Sequence, residues 1–175
     1  MRSDDAPNPT PVLVVHETAF TYLGSAQPSD PGGMAAIYRD LVTEDARLQQ
    51  VATVVRAALA RGRHCLVLSP CKEHVRRLAE VLVGAGDEER PEPVVLVGGM
   101  GLRARAAAMA QLETTATDDQ VLLIATGPLI GEGFDLPALD TLFLAAPISF
   151  PGRLVQYAGR VLRPWPGNAT AEVHD

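Results

Sequence analysis

Four short runs of the sequence are apolar at nearly every position, a pattern that few folds accommodate. They are HCLVLS at 64–69, VVLV at 94–97, VLLIA at 121–125 and TLFLA at 141–145. Strands of this kind are buried on both faces, which requires helices above and below a mainly parallel sheet. The sequence therefore predicts an α/β fold, a doubly wound, mainly parallel sheet with helices on both faces.

Segments in which apolar residues recur at helical spacing alternate with these runs. The first spans 43–62 and contains Leu48, Val51 and Val55, and the second begins near Lys72 and ends at Gly84. Two more helices are predicted near 103–112 and 151–162, and a last short strand at the AEVH of 171–174. We expect one domain over residues 34–175.

Residues 1–33 differ from the rest in composition. Segments 1–11 and 25–33 are rich in Ser, Asp, Pro and Gly, as tails and loops are. Between them, Val12 to Val15 is a β-rich run, although an isolated strand at a terminus needs a neighbour to pair with. We interpret 1–33 as a tail with a lead-in strand and a loop.

The net charge of −6, from 21 acidic and 15 basic residues, argues against a domain that coats nucleic acid through a broad basic face. Cys65 and Cys71 have no second pair at zinc-site spacing, so no metal site is predicted.

With no apolar run near membrane-span length and no signal peptide, we expect no membrane association and a cytoplasmic location. The four histidines, expected at the surface or half-buried, lack recognisable catalytic or metal partners: His16, His64, His74 and His174.

The segment QYAGRVLR at 156–163 carries the most chemical information. On a helix Gln156, Arg160 and Arg163 share one face, and two guanidinium groups with an amide suit a polyphosphate. Upstream, ATGPLIGEGFDLP opens after a buried strand into a loop with Gly133 and Asp135. Glycines there let backbone amides approach phosphate, and a carboxylate can accept from a ribose hydroxyl. Each segment alone is also compatible with a solvated helix face or a plain turn.

Together these segments resemble superfamily 2 helicases. ATGPLIGEGFD is similar to motif V and QYAGRVLRP to motif VI, the Q-x-x-G-R-x-x-R pattern. LVLSPCKEHVRRLAEVL resembles motif IV with its following helix, and LVGGMGLRARAAAMAQL the segment between motifs IV and V. The four matches occur in the family's order over residues 62–164, and they identify the chain as resembling the second, C-terminal RecA-like domain.

The resemblance implies a role for each matching residue. Arg163 would be the arginine finger, Arg160 would also reach the γ-phosphate, and Gln156 would orient the phosphate or its water. Asp135 would face the ribose or couple motif V to motif VI, with Gly133 making room. The residues implied to contact nucleic-acid phosphates are Ser69, Gly98 and Thr126.

ATP and Mg²⁺ would bind only together with a first RecA-like domain of the same protein, because no G-x-x-x-x-G-K-[ST] loop occurs in these 175 residues. The isolated chain is therefore expected to be inactive towards ATP. Motif VI begins Gln-Tyr-Ala, unlike the His-Arg-Ile of DEAD-box RNA helicases, which favours DNA over RNA as the partner.

Two other interpretations remain open on the sequence. One is a helicase-like module that binds nucleic acid or protein without a part in hydrolysis, against which the intact Arg160 and Arg163 argue. The other is an unrelated small α/β enzyme, which would need its own nucleophile, base or phosphate loop. The sequence upstream of Met1 would discriminate, because a P-loop and an acidic Mg²⁺ motif there favour the motor.

Overall fold

A six-stranded parallel sheet organises the protein. The computed structural model describes residues 8–84, 91–127, 139–147, 158–159 and 169–175, without the side chains of 116–118. The strands are β1 (Thr10–Val14), β2 (Cys65–Leu68), β3 (Val94–Leu96), β4 (Leu122–Ala125), β5 (Thr141–Leu144) and β6 (Thr170–His174). Their order across the sheet is β1-β6-β5-β2-β4-β3, and all neighbours are parallel, as predicted.

Helices lie on both faces of this sheet, which confirms the doubly wound arrangement. They are α1 (Gly33–Thr43), α2 (Asp45–Ala60), α3 (Lys72–Val83) and α4 (Leu102–Asp118). One core cluster joins α2 and α3 to the sheet through residues such as Val55, Leu78 and Phe143. A second cluster on the opposite face joins the sheet to α4 through Leu112, with Ala158 packed against it.

The strand expected near Val12 finds its neighbour at the far end of the chain. β1 pairs with β6 in the register Thr10 to Thr170 and Val14 to His174. It is an edge strand, and Leu13 on it is largely exposed. Its pairing therefore depends mainly on backbone hydrogen bonds.

The helix boundaries differ in two places from the sequence pattern. The helix predicted over 43–62 is α2, and a further helix, α1, precedes it, separated from it by the extended backbone of Glu44. α4 continues to Asp118 instead of ending near Leu112. Of the helix predicted at 151–162, only 158–159 are described, and these two are helical. The boundary between a tail and a domain at residue 33 stays a prediction.

A polar clamp holds the amino ends of β2, β5 and β6. The Arg63 guanidinium contacts Asp140 at 3.4 Å and Glu172 at 2.7 Å, and donates to the carbonyl and hydroxyl oxygens of Thr170. Arg61 contacts the second oxygen of Glu172 at 2.6 Å. Because these side chains join three strands, the clamp fixes the sheet at the edge opposite the candidate site.

In the described ranges, no helix is long and apolar enough to cross a membrane.

Candidate nucleic-acid interface

The three described residues predicted to contact nucleic acid lie at one edge of the sheet. Ser69, Thr126 and Gly98 follow the carboxyl ends of β2, β4 and β3, and these strands are neighbours in the order β2-β4-β3. Ligands of parallel sheets bind beyond this edge. The fold thus brings together three residues that are far apart in sequence: Gly98 is 29 positions after Ser69 and 28 positions before Thr126.

A direct hydrogen bond joins two of these residues. The Gly98 amide donates to the Thr126 hydroxyl oxygen at 3.0 Å, and the Thr126 amide donates to the Leu96 carbonyl at 2.9 Å. The Thr126 oxygen is therefore an acceptor, and its hydroxyl hydrogen is left to donate to another group. This bond also fixes the loop after β3 against the end of β4.

Ser69 is engaged in a buried network. Its hydroxyl oxygen accepts the Cys71 amide at 3.2 Å and lies 3.1 Å from Nδ1 of His74. Burial, with charge repulsion from two arginines, lowers the pKa of His74 to about 4, so near neutral pH the ring that is hydrogen-bonded to Ser69 is uncharged. The serine hydroxyl thus holds the first turn of α3 in place from beneath.

Lys72 is the cation that this turn presents. Its Cε lies 3.7 Å from where a Cβ on Gly98 would be, and its Nζ lies 3.2 Å from the same position on Gly99. Gly99 has a φ of +82°, a conformation that side-chain-bearing residues rarely adopt. Sequence reasoning missed Lys72 as a site residue. The available signal was that it is the single lysine and opens the helix after a buried strand.

Most described arginines have oxygen partners, whether backbone carbonyls or carboxylates: Arg47, Arg56, Arg61, Arg63, Arg76 and Arg77. Four cations have no hydrogen bond or ion pair within the described part of the chain: Arg39, Lys72, Arg103 and Arg105. Arg103 and Arg105 lie on the first turns of α4, just after the Gly98 loop. Arg39 follows Tyr38, whose hydroxyl donates to Pro147 beyond β5. All four therefore belong to elements at the carboxyl edge.

The other predicted site residues lie outside the described ranges. These are Gly133, Asp135, Gln156, Arg160 and Arg163. Gly159 is described, and a Cβ there would meet no atom of the described residues within 4 Å.

The expectation that all four histidines lie at the surface or half-buried is wrong for two of them. His74 is buried beneath Ser69, and His174 is buried between Phe143 and His16, which it contacts at 2.8 Å between ring nitrogens. The tertiary fold buries them because the side chains of His174 on β6 and His74 on α3 both lie on the side of the sheet that α2 covers. Within the described ranges, no group of three or more metal-ligating side chains is present.

Comparison with known proteins agrees with this architecture. The family described as "Helicase conserved C-terminal domain" matches residues 46–164. No curated protein matches the sequence.

Solved structures with a similar fold include UvsW of T4, with 15% identity, a TM-score of 0.63 and coverage of 96% of this chain and 32% of that one. Domain 2 of the DEAD-box helicase Mss116p, solved bound to an RNA duplex, has 11% identity and a TM-score of 0.55, and the match covers 94% of this chain and 52% of that one. The helicase domain of Hef from Pyrococcus furiosus has 18% identity and a TM-score of 0.54 and covers 81% and 29%.

The chain thus spans between 29% and 52% of the length of these structures. The profile match covers more than half of the chain and includes every strand from β2 to β5. The chain belongs to the helicase conserved C-terminal domain family.

Proposed function

We propose that this protein supplies the second motor domain of an ATP-driven helicase or translocase and that the carboxyl edge of its sheet holds nucleic-acid phosphates. The observation that carries the second part is the distribution of charge. In a chain with a net charge of −6, the cations without partners in the described residues all lie on elements at this edge. A polyanion needs such a track, and a narrow one is compatible with an acidic protein.

The contacts would divide into direct and supporting ones. Lys72 supplies the charge above Gly99, and the Thr126 hydroxyl supplies a donor beside it. The Gly98 amide anchors the loop by donating a hydrogen bond to the Thr126 hydroxyl oxygen. Ser69, which the resemblance implies would touch phosphate, has its hydroxyl group engaged by the Cys71 amide and the His74 ring, so its part is to position Lys72 through the first turn of α3.

The ATP chemistry remains a proposal based on the family motifs. ATP and Mg²⁺ would be held between this domain and a first RecA-like domain of the same protein, and ATP supplies the phosphoryl group whose transfer drives movement. Arg163 would act as the arginine finger, with Arg160 and Gln156 at the same phosphate. Asp135 would face the ribose or couple motif V to motif VI, and Gly133 would make room.

Binding of fluorescent oligonucleotides tests the carboxyl edge. Lys72→Ala in the 175-residue chain should weaken single-strand binding and reduce the slope of log K against log salt by about 0.7, the value for one phosphate contact. Arg76→Ala is the matched control, because Arg76 lies on the same helix but pairs with Glu73 at 3.7 Å. Equal effects of the two substitutions would contradict the assignment of Lys72.

DNA is the proposed partner because motif VI begins Gln-Tyr-Ala. The same binding titration, repeated with RNA, tests this preference. DNA and RNA strands of one sequence should differ in affinity, with DNA bound more tightly. Tighter binding of RNA would overturn the DNA assignment but leave the edge as the binding surface.

ATP hydrolysis by a protein that contains both RecA-like domains tests the motor assignment. Arg163→Ala should lower the rate by about 10³-fold or more, as loss of an arginine finger does, and leave nucleic-acid binding intact. Arg153→Ala is the control, since it extends the same predicted helix face. A variant at position 163 that retains more than about a tenth of the rate refutes the finger assignment. Arg160 would then become the candidate for the arginine finger.

A further inference from the structure

Two histidine rings and a carboxylate form a hydrogen-bonded row between the edge strand β1 and its neighbour β6. Nε2 of His16 lies 2.8 Å from Nδ1 of His174, and Nε2 of His174 lies 3.0 Å from the Glu172 carboxylate. The two rings also stack, with centroids 5.1 Å apart and 10° between their planes. His16 follows β1, whereas Glu172 and His174 lie on β6, so this row connects the two strands through side chains.

The positions of the protons in this row follow from the carboxylate at its end. Burial raises the pKa of Glu172, but hydrogen bonds from His174 and Arg63 lower it overall, so the carboxylate is ionised near neutral pH. An ionised carboxylate only accepts hydrogen bonds, so Nε2 of His174 donates to it. In the neutral His174 ring Nδ1 is then an acceptor, and Nε2 of His16 donates to it.

The two histidines therefore respond differently to protonation. A proton added to Nδ1 of His16 leaves the bond between the rings in place, because Nε2 of His16 still donates. A proton added to Nδ1 of His174 removes the acceptor. With both rings protonated, two cations would face each other across the 2.8 Å contact.

The charges around the pair do not compensate a second proton. They come from β6 and the residue after it, from α2 and from the segment between α2 and β2: Glu172, Asp175, Arg47, Arg61 and Arg63. Glu172 already contacts both arginines of the clamp. Burial accordingly lowers the pKa of His174, although the hydrogen bond to Glu172 opposes this effect.

Little else than the backbone holds β1 in place. Val12 and Leu13 are 39% and 69% exposed, so their burial contributes little to the pairing. We infer that the hydrogen-bonded pair of His16 and His174 is a pH-sensitive switch, which holds β1 on β6 near neutral pH and releases β1 when both rings carry a proton. In the released state Glu172 would remain as the partner of the charged His174. The switch requires neither ATP nor nucleic acid, so its test is independent of the proposed function.

Residue-resolved hydrogen exchange, followed by NMR at pH 7.5 and pH 5.5, measures this release. The amides of Thr10 and His16 donate to backbone carbonyls that flank β6, at 3.0 and 2.7 Å. The Thr126 amide, which donates to β3 at 2.9 Å, reports on the opposite edge of the sheet. After correction for intrinsic exchange rates, protection of Thr10 and His16 relative to Thr126 should fall as the pH drops. The fall should reach at most about tenfold per pH unit below about 6.5, because the released strand leaves His174 with an ordinary affinity for its proton.

Substitution identifies the group that titrates. His174→Gln should abolish the pH dependence, because glutamine does not titrate in this range. His64→Gln is the matched control, since it removes a histidine that precedes β2 and should leave the dependence unchanged. In the wild type, the NMR titration of the His174 ring should have the same midpoint as the loss of protection at β1.

Four results would overturn the inference. One is protection of β1 that does not change between the two pH values, and another is a pH dependence that persists in His174→Gln. A parallel loss at Thr126 would mean that the whole sheet opens. If His174→Gln does not fold, the wild-type titration still decides, because protonation of His174 while β1 stays protected would contradict the switch.

Discussion

Replacement of Arg63 by Ala should destabilise the protein far more than removal of any single surface charge. The Arg63 side chain is 14% exposed, and its two carboxylate partners, Asp140 and Glu172, are 11% and 17% exposed. Removing one partner of a buried ion pair costs about 3 to 5 kcal/mol, because the charge left behind is desolvated and unpaired. Arg61 would still contact Glu172, and the Thr141 hydroxyl would still donate to Asp140. We therefore expect the lower end, about 3 kcal/mol.

Urea unfolding followed by far-ultraviolet circular dichroism measures this loss. With a slope of about 2 kcal/mol per molar urea, the midpoint should fall by roughly 1.5 M. Arg76→Ala is the control, since Arg76 and Glu73 are each 61% exposed and such pairs contribute about 0 to 1 kcal/mol. Asp140→Asn in the Arg63→Ala background should recover part of the loss, because it removes the uncompensated carboxylate. A midpoint for Arg63→Ala as high as that of Arg76→Ala would refute the clamp.

Two further predictions concern the carboxyl edge. Burial lowers the pKa of His74 to about 4, so the unfolded chain binds a proton near pH 6.5 that the folded protein does not. The stability that the neutral His74 ring contributes is complete above pH 6.5 and is lost as the pH falls towards 4, by at most about 1.4 kcal/mol per pH unit. The urea midpoints measured at pH 7 and at pH 5 should therefore differ less in His74→Gln than in the wild type. Gly99→Ala should lower the free energy of unfolding by about 1 kcal/mol, because position 99 has a left-handed backbone conformation. It should also weaken oligonucleotide binding, because the added Cβ would displace Lys72. An unchanged unfolding midpoint would contradict the backbone strain expected in the variant.

The apolar runs predicted the strands well because burial on both faces leaves a local mark in the sequence. The run around Leu66 became β2, and that around Leu123 became β4. Lateral order leaves no such mark. That β4 lies between β2 and β3 follows only from tertiary packing, and this order brings Lys72 over the Gly98 loop. For the same reason the burial of His74 was not predicted.

The pairing of β1 with β6 has a consequence for biosynthesis. Thr10 and Thr170 are partners, so β1 leaves the ribosome almost a full chain length before the strand that it pairs with. At typical rates of synthesis this interval is roughly 10 to 30 s. β5 ends at Leu144 and β6 begins at Thr170, so for roughly 1 to 5 s of synthesis β5 is the outermost strand on its side of the sheet, and its free edge is open to strands of other nascent chains. The order of translation thus makes closure of this side by β6 and β1 the latest pairing event in folding.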